Sequence, residues 1–506
     1  MKFNSTKNTQ QIISNHEGAK AWAMNPEMEL YTAVVTASLS AQFYESEVER
    51  LERIRELMHK VAPEFIAQLA IYCREQMYLR SIPMVLTVEL ARIGAPEGLV
   101  RKTAARVIQR ADEITEMLAY YQLANAREGQ KKLNKLSKQL QKGIADAFNK
   151  FDEYQFAKYN RATEVTLRDA LFLTHPRPAS ATQQALFDKI ATETLEVPYT
   201  WEVEISRLGQ QSFASDKEKK AAFAEKWEEL IMSGRLGYMA MLRNLRNFIE
   251  AGISDAVLME VALKLAAPEA VRKSKQLPVR FLAAWRELRK LESGRIGILL
   301  QALEEAVTVS AENIAGFGLE TRVLLAADTS GSMCMPISPR SSVQYYDIGL
   351  MLSMLMRSRC KHVVTGIFGN TWRREQLPAR SILSNVESLR MLMGQVGYAT
   401  NGHLVIKDLI NRREVMDKVM IFTDMQLWNT HSDVHIAEAW RDYKRQVAPA
   451  AKLYLFDLAG YGQVPLRITK PDVFLIAGWS DKVFDILAAI EQGQEAIGHI
   501  KNVSIK

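Results

Sequence analysis

Hydrophobic positions in the first part of the chain recur every three or four residues. The pattern is clear in YTAVVTASLSAQFYESEVERLERIRELMHKV (31–61) and APEFIAQLAIYCREQMYLR (62–80). This spacing places apolar side chains on one face of a helix, so it predicts amphipathic helices in succession over residues 1 to about 315. Prolines lie between these segments. Several, in APEF, APEG and APEA, are expected to open helices, where the missing N–H is not needed.

The helical segments come in pairs of about 35–45 residues, which favours an α-solenoid of the HEAT kind. The sequence contains no clean repeat. A helical domain without repeats therefore stays open as the alternative.

The pattern changes after about residue 318. Short apolar, β-branched runs (RVLLAADTS, KHVVTGIFGN, KVMIFTDM, KLYLFDLAG and DVFLIAGWS) alternate with helical stretches. Strands that are apolar throughout indicate a parallel sheet covered on both faces. We therefore predict two domains, a helical one over 1–317 and a doubly wound α/β one over 318–506. Ligands of such sheets bind beyond the carboxyl ends of the strands.

Oxygen-bearing side chains follow three of these runs. The first run enters D-x-S-x-S, a later loop carries a threonine, and a further run ends in an aspartate; these residues are Asp328, Ser330, Ser332, Thr400 and Asp424. Carboxylates and hydroxyls are hard ligands suited to Mg²⁺ or Mn²⁺. They also serve as turn and helix-cap residues, which is the alternative for D-x-S-x-S alone.

This order of residues resembles the metal-ion-dependent adhesion site of von Willebrand factor A domains. The resemblance implies a bound Mg²⁺ or Mn²⁺ with one position open for the acidic group of a protein partner. Ala399 stands where a glycine often precedes the threonine, which makes Thr400 the least typical ligand. The nearby His403, His431 and His435 form no metal-binding spacing, and no P-loop or GxSxG is present, so we expect no enzyme.

The composition indicates the class of protein and the cellular compartment. Of 506 residues, 48% are hydrophobic and 24% charged, as in folded proteins. The amino-terminal segment is polar and no apolar run suits a membrane helix. Three scattered cysteines suggest a reducing compartment, so we expect a cytoplasmic protein. A net charge of +7 permits a polyanionic partner, bound through local patches.

The densest basic stretch is REGQKKLNKLSKQLQK (127–142), in which lysines recur at helical spacing. Such a stripe is a candidate footprint for RNA phosphates, although a solvated helix face is the commoner explanation. Its candidate residues are Lys131, Lys132, Lys135, Lys138 and Lys142. Further basic clusters lie near predicted helix ends: Arg168, His175 and Arg177; Arg243 and Arg246; and Arg272, Lys273, Lys275 and Arg280.

The order of a helical part and an A domain resembles the Ro autoantigen (TROVE) family. Local matches are NPEMELYTAVVTASL (25–39), SKQLQKGIADAFNKFDEYQFAKYNR (137–161), LRDALFLTHPRP (167–178) and LGYMAMLRNLRNFIEAGI (236–253). The resemblance implies helical repeats closed into a ring. It also implies small structured non-coding (Y) RNAs on an outer basic face and single-stranded 3′ ends of misfolded RNAs in the central hole.

On this resemblance the protein would be non-enzymatic and act in RNA quality control, or as an adaptor to an exoribonuclease. His175 and its basic neighbours would contact RNA, and the lysine stripe would hold phosphates. Two other hypotheses stay open. One is a protein–protein scaffold that binds no RNA, and the weaker one is a metal-dependent hydrolase.

Overall fold

The computed structural model forms two compact units. One comprises the described residues within 1–54 and 237–496, and the other those within 55–236 and 497–506. The structure describes residues 11–37, 44–125, 136–160, 164–312, 314, 316–318, 320–339, 341–428, 435–468, 472–493, 495 and 497–506.

The first part of the chain is mainly helical, as the apolar periodicity predicts. Its elements are β1 Ile12–Ser14, β2 Lys20–Ala23, α1 Pro26–Val35, α2 Glu47–Met58, α3 Pro63–Glu75, α4 Ser81–Arg92, α5 Leu99–Val107, α6 Ala111–Ala124, α7 Lys138–Phe148, α8 Glu153–Tyr159, α9 Leu167–Thr174, α10 Ala181–Ala191, α11 Trp201–Gly209, α12 Asp216–Met232, α13 Tyr238–Ala251, α14 Asp255–Ala266, α15 Pro268–Ser274, α16 Pro278–Arg289 and α17 Ile296–Glu312.

The second part alternates strands and helices. Its elements are β3 Arg322–Asp328, a 3₁₀ turn Gly331–Cys334, α18 Tyr345–Arg357, β4 His362–Phe368, β5 Trp372–Glu375, α19 Ile382–Met391, α20 Met393–Val396, α21 His403–Arg412, β6 Lys418–Thr423, α22 Ile436–Gln446, β7 Lys452–Asp457, β8 Gln463–Val464, β9 Val473–Ala477, α23 Val483–Glu491 and α24 Gly498–Lys501.

Prolines open several helices, as predicted for APEF and APEA. Pro63 and Pro268 occupy the first helical positions of α3 and α15. The prediction for APEG was wrong. Gly98, in the left-handed region at φ 81°, stands immediately before α5, so Pro96 lies outside the helix. The glycine adopts a backbone angle that other residues rarely reach, and the helix begins only after it.

One short sheet interrupts the predicted succession of helices in the amino-terminal part. β1 and β2 form an antiparallel hairpin, and β8 extends it to a three-stranded sheet. Its turn is closed by the Asn15 side chain, which accepts from Ala19 N at 2.8 Å, and by Gly18 at φ 81°. Asparagine and glycine are residues that favour tight turns.

The second sheet confirms the predicted α/β domain. Its order is β5-β4-β3-β6-β7-β9, with β4, β3, β6, β7 and β9 parallel and β5 antiparallel at one edge. The central strands are buried along almost their whole length, as expected for strands covered on both faces. α18 packs against α19, and α21 against α22. The parallel strands therefore deliver their carboxyl ends to one edge.

Helices α13–α17 belong to the same compact unit as this sheet. Arg286 on α16 donates to both carboxylate oxygens of Asp347 on α18, at 2.7 and 2.6 Å, and to Glu387 on α19 at 2.5 Å. The predicted boundary near residue 317 follows the change of sequence pattern, whereas compactness groups α1 and the five helices α13–α17 with the sheet.

Candidate metal site and nucleic-acid interface

The five predicted metal ligands are all buried at the carboxyl edge of the six-stranded sheet. Asp328 ends β3, and the two serines lie in and next to the following 3₁₀ turn. Thr400 precedes α21, and Asp424 directly follows β6. Their exposed fractions run from 0% to 6%. The adjacency of β3 and β6 places their loops side by side.

Hydrogen bonds fix the orientation of Asp328. Its Oδ1 accepts from the backbone N of Ser330 at 2.9 Å, and its Oδ2 accepts from the hydroxyl of Thr423 at 2.6 Å. The hydroxyl oxygens of Ser330 and Ser332 are 3.3 Å apart. The D-x-S-x-S loop thus gathers its oxygens as the sequence predicts.

The loop after β6 is held against the loop of Thr400. The Thr400 hydroxyl accepts from Trp428 N at 3.0 Å. Asp424 Oδ1 accepts from Gln426 N at 3.1 Å across Met425, which has a positive φ of 67°. For a residue other than glycine this angle is unusual and marks local strain. Asp424 Oδ2 is buried without a hydrogen bond of ordinary geometry, although Ser332 lies close enough to favour its charged form.

Both carboxyl groups are unusual acids. Burial raises the pKa of Asp328 to about 6. Burial, and then the charge of Asp328, raises the pKa of Asp424 to about 7. Two carboxylates held together out of water repel one another, and a cation between them would relieve both effects.

The donor set fits a hard divalent cation. It consists of two carboxylates and three hydroxyls, which are the oxygen ligands that Mg²⁺ and Mn²⁺ take. One carboxylate oxygen, Asp424 Oδ2, has no hydrogen-bond partner of ordinary geometry. In the part of the chain that the structure describes, no group of three or more His, Cys, Asp or Glu side chains is arranged to hold a metal. His403 is buried at the start of α21 and His435 stands before α22, while His431 lies outside the described residues.

The sequence interpretation missed Asp457 at the end of β7. It is fully buried, and its Oδ1 accepts from Ala459 N at 3.0 Å and Gly460 N at 2.7 Å. Burial raises its pKa, and its charge raises that of Asp424. The signal was visible in KLYLFDLAG, where an aspartate ends the run at the same sheet edge.

It also missed an aromatic cluster from the amino-terminal segment. His16 stacks on Tyr44 with ring centroids 4.9 Å apart, and Tyr461 packs edge-on against both. His16 N donates to Gln426 Oε1 at 2.8 Å, and Tyr44 is within hydrogen-bonding reach of Ser332. His16, before α1, and Tyr44, after it, therefore both border the metal-ligand loops, which no local motif could have indicated.

The candidate RNA-binding residues in the unit of residues 55–236 lie on α7, on α9 and on the loop after α9. Lys138 and Lys142 are exposed on α7, which packs on α9. His175 closes α9 in the left-handed conformation, at φ 49°, and is exposed, as is Arg177. Arg168 forms an ion pair with Glu193; Lys131, Lys132 and Lys135 lie outside the described residues.

The loop after α9 is fixed to the end of α7. Asn149 Nδ2 donates to the carbonyl of Arg177 at 2.9 Å, and Ala179 N donates to Asn149 Oδ1 at 2.9 Å. Gln141 Nε2 donates to the carbonyl of Leu173 at 2.7 Å. These contacts bring two separate basic segments of the sequence onto neighbouring elements.

The candidate RNA-binding residues in the other unit differ in whether they form ion pairs with glutamates. Arg246 lies 3.5 Å from Glu250 and 3.7 Å from Glu287, and Arg272 lies 3.2 Å from Glu312. Lys273 pairs with Glu269 at 3.8 Å, and Lys275 ends α15 at φ 51°. Arg243 on α13 and Arg280 on α16 form no ion pair with any described carboxylate.

Arg243 and Arg280 are close to one another. α13 packs on α16, both arginines reach solvent, and burial together with the charge of Arg243 lowers the pKa of Arg280. Like charges held together without a carboxylate attract an anion. This pair is therefore a candidate anion-binding feature.

A helical region followed by an α/β domain with buried oxygen donors at its sheet edge has the architecture of a helical domain joined to a von Willebrand A domain. Comparison with known families agrees and is more specific. The TROVE domain matches residues 7–223 and 194–296, and the Ro60 vWA domain matches residues 322–490. The chain belongs to the TROVE family.

Similar proteins extend this result. Telomerase protein component 1 of Mus musculus and that of Rattus norvegicus are each 27% identical over 299 residues, 46% of this chain. The match spans only 11% of those relatives. The crystal structure of Deinococcus radiodurans RO (RSR) protein has a TM-score of 0.57 at 18% identity and covers 92% of this chain and 99% of that one, which shows the fold. Among the described residues, no helix is both long and apolar enough for a membrane span.

Proposed function

We propose that this chain is a non-enzymatic RNA-binding protein that binds small structured RNA and single-stranded RNA ends. In this role it would act in RNA quality control or present RNA to a processing enzyme. Membership of the TROVE family supports the RNA-binding role. The net charge of +7 is compatible with selective docking through local patches.

The observation that carries the proposal is the unpaired pair Arg243 and Arg280. A phosphate between them gains charge-assisted hydrogen bonds and displaces no carboxylate. At Arg246 and Arg272 a phosphate must first compete with glutamates. We therefore assign single-strand phosphates to Arg243 and Arg280.

A second surface, on α7 and the loop after α9, is proposed for structured RNA. Lys138, Lys142, His175 and Arg177 are exposed there, and Asn149 fixes the loop. Structured RNA is recognised through shape and backbone, because side chains do not enter its narrow major groove. A surface of fixed shape with cations is suited to that task.

The test is filter binding of two RNAs across a salt series. One is a structured RNA with a single-stranded 3′ tail, and the other is the same RNA trimmed blunt. We expect tighter binding of the tailed RNA, with log affinity falling linearly in log salt. His175→Ala should weaken binding of both RNAs, because both contain the structured part, and should spare a plain single strand. No binding of either RNA at low salt would overturn the proposal and favour the protein scaffold.

Matched double variants locate the single-strand site. Arg243→Gln with Arg280→Gln should reduce the salt slope by about 1.4, since each phosphate contact on a single strand contributes roughly 0.7. Arg246→Gln with Arg272→Gln removes the same charge from residues that already have glutamate partners. Equal losses in the two double variants would show that net charge, and not the unpaired arginines, accounts for binding.

For the α/β domain we propose Mg²⁺ or Mn²⁺ at Asp328, Ser330, Ser332, Thr400 and Asp424. The cation would supply an electrophilic position for an acidic group of a protein partner, such as an exoribonuclease. The buried oxygen donors and the unpartnered Asp424 Oδ2 support this assignment. Asp328→Ala should abolish Mg²⁺ binding, measured calorimetrically, and leave RNA affinity unchanged. A still-folded variant with weaker RNA binding would contradict the separation of the two sites.

A further inference from the structure

A cavity in the unit of residues 55–236 lies between the carboxyl-terminal ends of α2, α4 and α6. Its volume is about 670 Å³, within the usual range of small-molecule sites. The side chains that matter here are Arg55, His59, Glu89, Arg92 and Tyr121. None of them belongs to the proposed metal or RNA contacts.

One buried carboxylate organises the cavity. Glu89 has a side chain only 4% exposed and accepts from Arg55 Nε at 3.0 Å and Arg92 Nη1 at 2.6 Å. Tyr120 donates to the same carboxylate at 2.7 Å. Three donors around one carboxylate hold both guanidinium groups in fixed positions before any ligand arrives.

The arrangement leaves positive charge and unused donors. Two guanidinium groups share one carboxylate, so these three side chains together carry an excess of one positive charge, and His59 adds a ring N–H donor. Arg92 uses only Nη1 in the contacts described, which leaves its Nε and Nη2 donors available. A guanidinium fork held in place is well suited to phosphate.

The lining of the cavity suits a ligand that is larger than a free phosphate and partly apolar. Met58, Ala91 and Ile93 supply apolar surface, and Tyr121 supplies an aromatic ring. An acidic side chain would occupy only a small part of 670 Å³. A nucleoside joined to its phosphate has one anionic end and one flat apolar part, which this lining matches.

We propose that the cavity lined by Arg55, His59, Arg92 and Tyr121 binds a nucleoside monophosphate, either free or as the 5′-terminal nucleotide of an RNA. Arg55 and Arg92 bind the phosphate, and the apolar wall and Tyr121 contact the nucleoside. The inference does not depend on the proposed RNA function, because a free nucleotide tests it alone.

The test is calorimetric titration of the full-length protein with AMP, adenosine and inorganic phosphate. We expect AMP to bind at least tenfold more tightly than either fragment, and Arg92→Gln to weaken AMP at least tenfold. His59→Ala, at an exposed position of the lining, should also weaken AMP binding, because it removes a ring N–H donor. Circular dichroism checks that the variants stay folded.

Arg207→Gln is the matched control. Arg207 on α11 donates to Glu204 at 3.0 Å, and the side chain of Glu204 is 10% exposed. The two residues have the same i,i+3 spacing as Glu89 and Arg92, but Arg207 lies outside the cavity. It should leave AMP affinity unchanged. Equal loss in Arg207→Gln and Arg92→Gln would overturn the proposal, as would the absence of AMP binding at millimolar concentration.

Competition identifies the source of the nucleotide. AMP that displaces a 5′-phosphorylated oligoribonucleotide, but not its 5′-hydroxyl form, assigns the cavity to RNA ends. AMP that binds without displacing either assigns it to free nucleotide. Both results support a nucleoside phosphate site, and failure of RNA binding leaves the AMP titration unaffected.

Discussion

Asp424→Asn should change stability in opposite directions with and without metal. In the metal-free protein the Asp424 carboxylate is 1% exposed, has an unpartnered oxygen and faces the charge of Asp328. Leaving such a group buried without a partner costs roughly 1–3 kcal/mol. Asparagine keeps an oxygen for Gln426 N and removes the charge. Without metal, the variant should therefore be more stable than the wild type.

With Mg²⁺ the order should reverse. A cation at 1,000 times its Kd stabilises the wild type by about 4.1 kcal/mol, which exceeds the metal-free cost, and the variant lacks one ligand carboxylate. A change of 1 kcal/mol moves the melting temperature by roughly 2–4 °C in a domain of 150–250 residues. The metal-free gain of the variant should thus be between about 2 and 12 °C, and the gain of the wild type with saturating Mg²⁺ at least about 8 °C.

The assay is thermal unfolding by circular dichroism in EDTA and in millimolar Mg²⁺ at pH 8. Asp457→Asn is the control, because it removes the same charge at the same sheet edge from another buried aspartate with one unpartnered oxygen, which is not among the proposed metal ligands. It should retain the response to Mg²⁺. An Asp424→Asn protein that is less stable than the wild type in EDTA, or that gains as much from Mg²⁺ as the wild type, would contradict a metal-ligand role for Asp424.

Three further changes test the packing and ionic contacts. Arg286→Ala leaves buried carboxylates on α18 and α19 unpaired and should cost about 3–5 kcal/mol in urea unfolding; a loss under about 1 kcal/mol contradicts this. Gly143→Ala puts a Cβ 2.6 Å from the carbonyl of Arg101, so overpacking of α5 on α7 should cost about 1–3 kcal/mol, and unchanged urea unfolding would exclude the clash. Burial would raise the pKa of Glu491, but Lys418, Tyr454 and Lys452 lower it to about 2. Glu491→Gln should lose about 1–2 kcal/mol near pH 7. The contribution of the lowered pKa is complete above the unfolded value near 4.5 and is lost as pH falls towards 2, so the difference should fade over that range; a difference independent of pH would contradict the assignment.

Much of the fold was determined by local pattern. The apolar runs of β6, which ends at Thr423, and of β7 are buried almost throughout. The strands and the helices between them could therefore be assigned from the spacing of apolar residues alone. The contact of Asp328 with its own loop is also local, because Ser330 N, which donates to Asp328 Oδ1, is only two residues away in the sequence. The hairpin of β1 and β2 was not predicted, because its strands are short and β8, the third strand of its sheet, lies more than 400 residues away in the sequence.

Other features were decided only by tertiary structure. Nothing in the sequence distinguishes Arg243 and Arg280, which lack carboxylates, from Arg246, which has two, because those partners come from other turns and other helices. The pKa of Asp424 depends on a neighbouring strand, and the cavity around Glu89 depends on three helix ends meeting. Sequence determines which residues can carry charge or coordinate a metal; long-range packing determines which are paired, buried or left available, because those properties depend on neighbours that the chain brings together only on folding.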